Sequence, residues 1–323
     1  MQEKLQRIIS RIQNFSWLEI VGTIAIGILV LNSLFAVSLN VKVVRKPPLH
    51  KILGTSSQTT NQLPTAKTDV LSQEEQVNII PTEGVELPVV WGDYGKRMAE
   101  AGVIDKAKME GLYSQRGGMT ELMGKMMNED INGKMRITPQ NSGELLNLLW
   151  ALGLGNKNEI LDKGEMQGPQ YGGAGKFAST AGWTLAQGNA MDHYSKHSFI
   201  KLLPDQQAMV DRVSKGIFRP CCGNSTHFPD CNHGMAMLGL LQLMASQNVS
   251  EQDMYKSALA VNAYWFPDTY LTIASFLKTQ GKDYAQASSQ ELLSAQYSSG
   301  QGYRQILNQV QPAQGKSNGG CGV

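Results

Sequence analysis

The chain lacks any real imbalance of charge: 29 basic residues against 27 acidic ones leave a formal net charge of +2. No basic block stands in its body, so nucleic acid is excluded as an expected partner. Cysteines number four and histidines five, and no two cysteines form a Cys-x-x-Cys pair. That absence removes the zinc-finger and thioredoxin signatures, and with them c-type haem attachment. His-Glu-x-x-His, Gly-x-Ser-x-Gly and Gly-x-Gly-x-x-Gly are missing as well. The usual zinc-protease, hydrolase and dinucleotide motifs are therefore unavailable. Gly175-Lys176, in the Gly-rich stretch 168–182, invites a phosphate-loop reading. It fails, because Gln170 replaces the first Gly, Phe177 replaces the Ser or Thr, and no strand is expected before it. No nucleotide is expected.

Long apolar runs are also absent, with one exception. Ile20 to Leu39 carries no charge, and Trp17 stands at its entry. Twenty residues at helical rise span about 30 Å, the thickness of bilayer hydrocarbon, and an interfacial aromatic belongs at such an edge. Residues 17–41 are thus expected to anchor the chain in a membrane behind a short cytoplasmic segment, 1–16. Ala36-Val37-Ser38 offers a rival signal-peptide cleavage site, but the run exceeds a usual signal core. Lys4, Arg7 and Arg11 before the run balance Lys42, Arg45, Lys46 and Lys51 after it. The positive-inside rule does not decide orientation here. The ordinary behaviour of a lone N-terminal anchor puts the following domain outside the cytoplasm.

Residues 42–86 are rich in Pro, Ser, Thr, Gln and Asn, a composition that reads as a flexible tether. From Leu87 the apolar spacing turns to three- and four-residue steps, and strand alternation is not evident. Helices are expected at Trp91–Ala101, around the Met119–Met127 stripe, at Ser142–Leu154 with Gly155 as a stop, and over 190–203 behind an Asn189 cap. Others are expected at Pro204–Phe218, Gly234–Ala245, Glu251–Trp265, Pro267–Thr279 and Ser289–Gln296. The methionine stripe reads as core packing rather than soft-metal ligation. Gly234–Ala245 is apolar almost all round, the pattern of a helix at the centre of a domain. The expected architecture is all-α: one helical domain, 87–311, behind the anchor and tether, with a Gly-rich tail, 312–323, that carries Cys321.

Against these absences stands one concentration. Cys221, Cys222, His227, Asp230, Cys231 and His233 lie within thirteen residues. Thiolate and imidazole are the ligands that zinc, copper and iron prefer. The segment ends at the start of the apolar helix, with Asp230 or Asn232 as its expected cap. Cys231 then sits where free N–H groups and the helix dipole favour an anion, and the same field keeps His233 neutral. His193 and His197, four apart, share a helix face if their segment is helical. Cys321, flanked by glycines, is a thiol on a flexible arm.

Three readings follow. The first is a membrane-tethered domain that binds one ion, zinc in preference to copper or iron. Cys222, Cys231 and His233 would hold it, with His227, Cys221, His193 and His197, or Cys321 completing the shell. The second is an exported interaction domain stapled by Cys222–Cys231 and Cys221–Cys321. The third is a thiol-redox protein in which Cys231 attacks.

Overall fold

The computed structural model describes residues 71–310. The expected anchor at 17–41, most of the tether and Cys321 lie outside them. Among the described residues no helix is long and apolar enough to cross a membrane.

In chain order, the first elements are α1 (Gln73–Ile79), β1 (Val85–Gly92), α2 (Tyr94–Glu100), α3 (Lys106–Ser114), α4 (Glu121–Asn128) and β2 (Ile131–Ile137). The central part holds α5 (Ser142–Gly155), α6 (Glu159–Lys163), α7 (Ala178–Ala181), α8 (Ala190–His193), α9 (Pro204–Gly216) and α10 (Asn232–Ser246). Then come α11 (Glu251–Trp265), α12 (Pro267–Thr279), α13 (Ser289–Leu292), α14 (Ala295–Ser298) and α15 (Gly300–Leu307).

The fold is mostly helical, as the apolar spacing implies, but it is not all-α. β1 and β2 pair antiparallel, from Val85 opposite Ile137 to Gly92 opposite Ile131. Alternation does exist in β1, where Leu87, Val89 and Trp91 are buried. It is masked because Pro88 and Val90 make the outer face apolar too. Pro88 has no N–H to give a ladder and is tolerated because a two-stranded sheet is all edge. The Gln247 side chain takes the place of a third strand: Val90 N–H donates to its Oε1 at 2.9 Å and its Nε2 donates back to Val90 O at 2.8 Å. Trp91, expected in a helix, is therefore a strand residue.

The C-terminal end of the stretch expected to be tether carries regular structure. α1 lies inside the 42–86 stretch, held by a Ser72–Glu75 capping box and by Lys278 Nζ donating to Glu75 at 2.9 Å. A polar sequence orders here because its caps and a distant lysine satisfy it.

α5 and α10 form the centre. Both are buried along nearly their whole length, the outcome expected of helices apolar all round. They meet through glycine. A Cβ on Gly153 would lie 2.0 Å from Met235 O, and one on Gly239 would lie 2.3 Å from Leu149 O. In α4, Met123, Met126 and Met127 are core residues. A second apolar cluster joins Tyr270, Ile273 and Leu277 of α12 to Leu292, Tyr297, Ile306 and Val310.

The helix expected over 190–203 stops at His193. Ser195 adopts a left-handed backbone, with φ 54°. The chain then turns, with His197 in an isolated parallel bridge to Asn156. Buried amides drive this. Asn156 is wholly buried; its Nδ2 donates to Gln242 Oε1 at 2.8 Å and its Oδ1 accepts from Ile200 N–H at 2.8 Å. Leaving such groups unpaired costs about 1–3 kcal/mol each, more than one short turn of helix returns.

Candidate metal centre

The site is built on the N-terminus of α10. Cys231, not Asp230 or Asn232, is the capping residue: its own Sγ accepts from Gly234 N–H at 3.4 Å. Asp230 is turned away to Arg219 Nη2, at 2.7 Å, and Asn224 Nδ2, at 2.8 Å. Asn232 Oδ1 accepts from the His233 N–H.

The loop from Arg219 to Cys231 closes around a buried guanidinium. Arg219 is 1% exposed. Its Nε donates to Cys231 Sγ at 3.1 Å, its Nη1 to Asn224 O at 2.9 Å and its Nη2 to Phe228 O at 3.0 Å. A charge this deep is tolerated only when its donors are answered, so the loop's carbonyls are drawn inward. The backbone is pinned from outside as well. Ser179 N–H donates to Asp230 O, Thr226 N–H to Ile217 O, and Gly300 N–H to Cys222 O at 2.7 Å.

Three sulfurs gather as a result. Cys221 Sγ lies 3.4 Å and Cys222 Sγ 4.0 Å from Cys231 Sγ. No disulfide joins Cys221, Cys222 and Cys231, so the stapling pair Cys222–Cys231 is not formed. Two thiolates on one tetrahedral zinc, with bonds of about 2.3 Å, stand about 3.8 Å apart, between the two observed separations. His233 is buried beside them, its ring 4.4 Å from that of Phe266 and 5.6 Å from that of Trp265. Donor atoms of Cys221, Cys231 and His233 all lie within 4.8 Å of one another, and so do those of Cys222, Asp230 and Cys231. The Cys/His cluster is therefore geometrically able to hold one metal ion.

Electrostatics divides the thiols. Hydrogen bonds from Cys221 and Cys222, then the Arg219 charge and His233, hold Cys231 well below the ordinary thiol value of 9.0, against the effect of burial. Cys222 goes the other way. A hydrogen bond with Cys221 pulls it down, but its bond to Cys231 and its burial push it up to about 12. For Arg219, burial works against the charge, yet the Cys231 and Cys222 sulfurs hold it above its ordinary 12.5. The cluster thus favours the thiolate at Cys231, beside the Arg219 guanidinium, and the protonated thiol at Cys222.

The other expected ligands are elsewhere. His227 Nε2 sits 2.7 Å from Asp211 Oδ1. Together they line a cleft of about 1000 Å³ with Asn158, Gln207 and Lys201. Burial opposes it, but hydrogen bonds from Lys215 and His227 keep Asp211 below the usual carboxylate range. His227 belongs to neither metal-capable group because its loop carbonyls face Arg219 while its ring faces α9. His193 and His197 are likewise outside both groups and pair with each other. His193 Nδ1 is 3.1 Å from His197 Nε2, and His193 Nε2 is 2.8 Å from Gln187 O. A carbonyl only accepts, so His193 donates from Nε2 and its Nδ1 accepts from His197. Burial, then the neighbouring His193, lowers His197 below 6.5.

Sequence reasoning missed Arg219 and Asp211. Arg219 had one available signal, a guanidinium two residues before a thiol cluster. Asp211 had none, since its partner lies 16 residues away across a loop.

Compared with family models, curated proteins and solved structures, the chain matches none of them.

Proposed function

We propose that this protein is a membrane-tethered domain that holds one divalent ion on Cys221, Cys231 and His233. The observation that carries the reading is the convergence of two sulfurs and an imidazole at the N-terminus of α10, with Cys231 and His233 buried and Cys221 half-buried. Charge balance supports a divalent ion such as zinc over monovalent copper. Two thiolates and a neutral imidazole cancel a divalent cation, Arg219 answers Asp230, and Cys222 keeps its proton. A monovalent copper ion would leave one negative charge in the interior, at a desolvation cost of several kcal/mol. Cys222 then stands beside the ion as the alternative thiol rather than a ligand. Thiol ligands must be deprotonated to bind and are brought together only by the fold, so metal affinity, pH and folding are coupled. Attachment to the membrane through residues 17–41, with the domain outside the cytoplasm, rests on the uncharged run Ile20–Leu39 and the habit of single N-terminal anchors.

A second reading, thiol-redox chemistry, is favoured by the Arg219 Nε contact with Cys231 Sγ. A guanidinium stabilises a reactive thiolate without any metal.

The test is elemental analysis of the full-length protein, extracted in detergent without chelator or reductant, with a parallel thiol count. One tightly held zinc, lost with His233→Ala, is the expected result. No cluster metal in the wild type, with one cysteine alkylated fast below pH 7, would replace the metal reading by the redox one.

A further inference from the structure

The histidine pair outside the thiol cluster is built like half of a metal shell. His193 Nδ1 and His197 Nε2 are 3.1 Å apart. Bonds of about 2.05 Å to one ion would span that distance at an angle of about 100°, between the octahedral and tetrahedral values. An ion bound to both nitrogens would replace the hydrogen bond that now joins them. The far side of His193 is already fixed, with Nε2 donating to Gln187 O at 2.8 Å. A ligating histidine ordinarily gives its second N–H to a carbonyl in this way, which sets the tautomer and aims the other nitrogen.

The pair is preorganised by backbone, not by chance rotamers. Ser195 N–H donates to Leu154 O at 2.8 Å and His197 N–H to Gly155 O at 2.9 Å, while His197 O accepts from Lys157 N–H at 2.7 Å. The left-handed turn at Ser195 folds His197 back over His193, with ring centroids 5.3 Å apart. A left-handed φ at a non-glycine residue persists only where the surroundings impose it. Phe199 stacks on the outer face of His197 at 5.1 Å. His193 is buried and His197 half-buried, so the remaining coordination positions open towards solvent beside His197.

We infer that His193 and His197 form a second ion site, separate from the thiol cluster, that takes a borderline divalent cation such as zinc on its two imidazole nitrogens. The assignment does not rest on the thiol reading. With two protein ligands and open positions, the site is weaker and more exchangeable than a closed thiolate site.

The experiment is equilibrium dialysis of full-length protein in detergent against zinc, comparing the wild type with His197→Gln, His193→Gln and His233→Ala. Circular dichroism checks that each variant is folded. Glutamine keeps a hydrogen bond possible at either position but is a poor ligand, so a purely structural pair tolerates it. The expected outcome is that each glutamine variant loses one zinc equivalent, while the ion that depends on His233 is retained. Unchanged zinc binding in both glutamine variants overturns the inference. If His233→Ala changes nothing while the glutamine variants each lose an ion, the thiol reading fails and this one stands.

Discussion

Arg219 and the three sulfurs show how much one buried residue organises. Its guanidinium bonds to Cys231, Asn224, Phe228 and Asp230, so the cysteine loop is wound on a charge rather than on an apolar plug. Gly234 is required at its edge, because a Cβ there would lie 2.5 Å from Arg219 Nη2. The same contacts set a pH dependence for the metal-free protein. Cys231 is held below the unfolded value of 9.0, so in the acid range it binds a proton in both states and contributes nothing. As pH rises through its folded pKa towards 9.0, the unfolded state holds more protons and stability increases. Cys222 acts oppositely above that point. Its thiol stays protonated in the fold up to about 12, whereas the unfolded thiol ionises, so stability falls again. Denaturant midpoints across pH, measured with chelator present, are expected to rise towards pH 9 and decline beyond it. A flat profile over the same window would remove the thiolate–guanidinium pair from the account.

At the scale of elements, the α5–α10 contact is the structural support of the site. Two helices that touch backbone to backbone leave no room for a methyl group at Gly239, where a Cβ would meet Leu149 O at 2.3 Å and Gly153 N at 2.8 Å. Neither partner is a flexible side-chain end, so the helices must separate. Gly239→Ala is expected to lower stability by about 3 kcal/mol, the upper end of ordinary overpacking. It should reduce the denaturant midpoint without changing the slope. Because α10 carries Cys231 and His233, the same variant should hold its metal less tightly. α5 and α10 were legible because burial along nearly their whole length makes them apolar all round, and α11 and α12 because their apolar residues recur at three- and four-residue steps. α8 and β1 were not. One ends early to satisfy the Asn156 amide, and the other hides its alternation behind Pro88 and Val90.

Over the whole molecule, the C-terminal helices brace the cysteine loop from a distance in sequence. Gly300 N–H bonds to Cys222 O, and Phe218 N–H to Leu293 O. Asn262 Nδ2 ties Phe218 O to the Tyr270 hydroxyl, which in turn meets Ser298 Oγ. Leu292, Leu293, Ile306 and Val310 are all buried. At about 1.5–3 kcal/mol for each such side chain, their loss rivals the whole stability of about 5–15 kcal/mol usual for a domain. A chain ended at Ser288 is therefore expected to lose both its cooperative unfolding transition and its bound ion, rather than behave as a trimmed but intact domain. Thermal melts with metal analysis on that truncation check this, and a sharp transition with metal retained would show the C-terminal helices to be dispensable.

The sequence by itself determined the periodic and the local. The helical character follows from apolar spacing, the central helix from its uniform apolarity, and the place of the thiols from three cysteines beside its N-terminus. Tertiary structure decided which of these residues meet. His227 turned to Asp211, His193 and His197 came together through a left-handed turn instead of a helix face, and Cys231 displaced Asp230 as the cap. The reason is the same in each case. Periodicity is a property of neighbours along the chain, whereas a buried charge or amide must be answered by whatever group the fold brings to it, and that group lies far away in sequence.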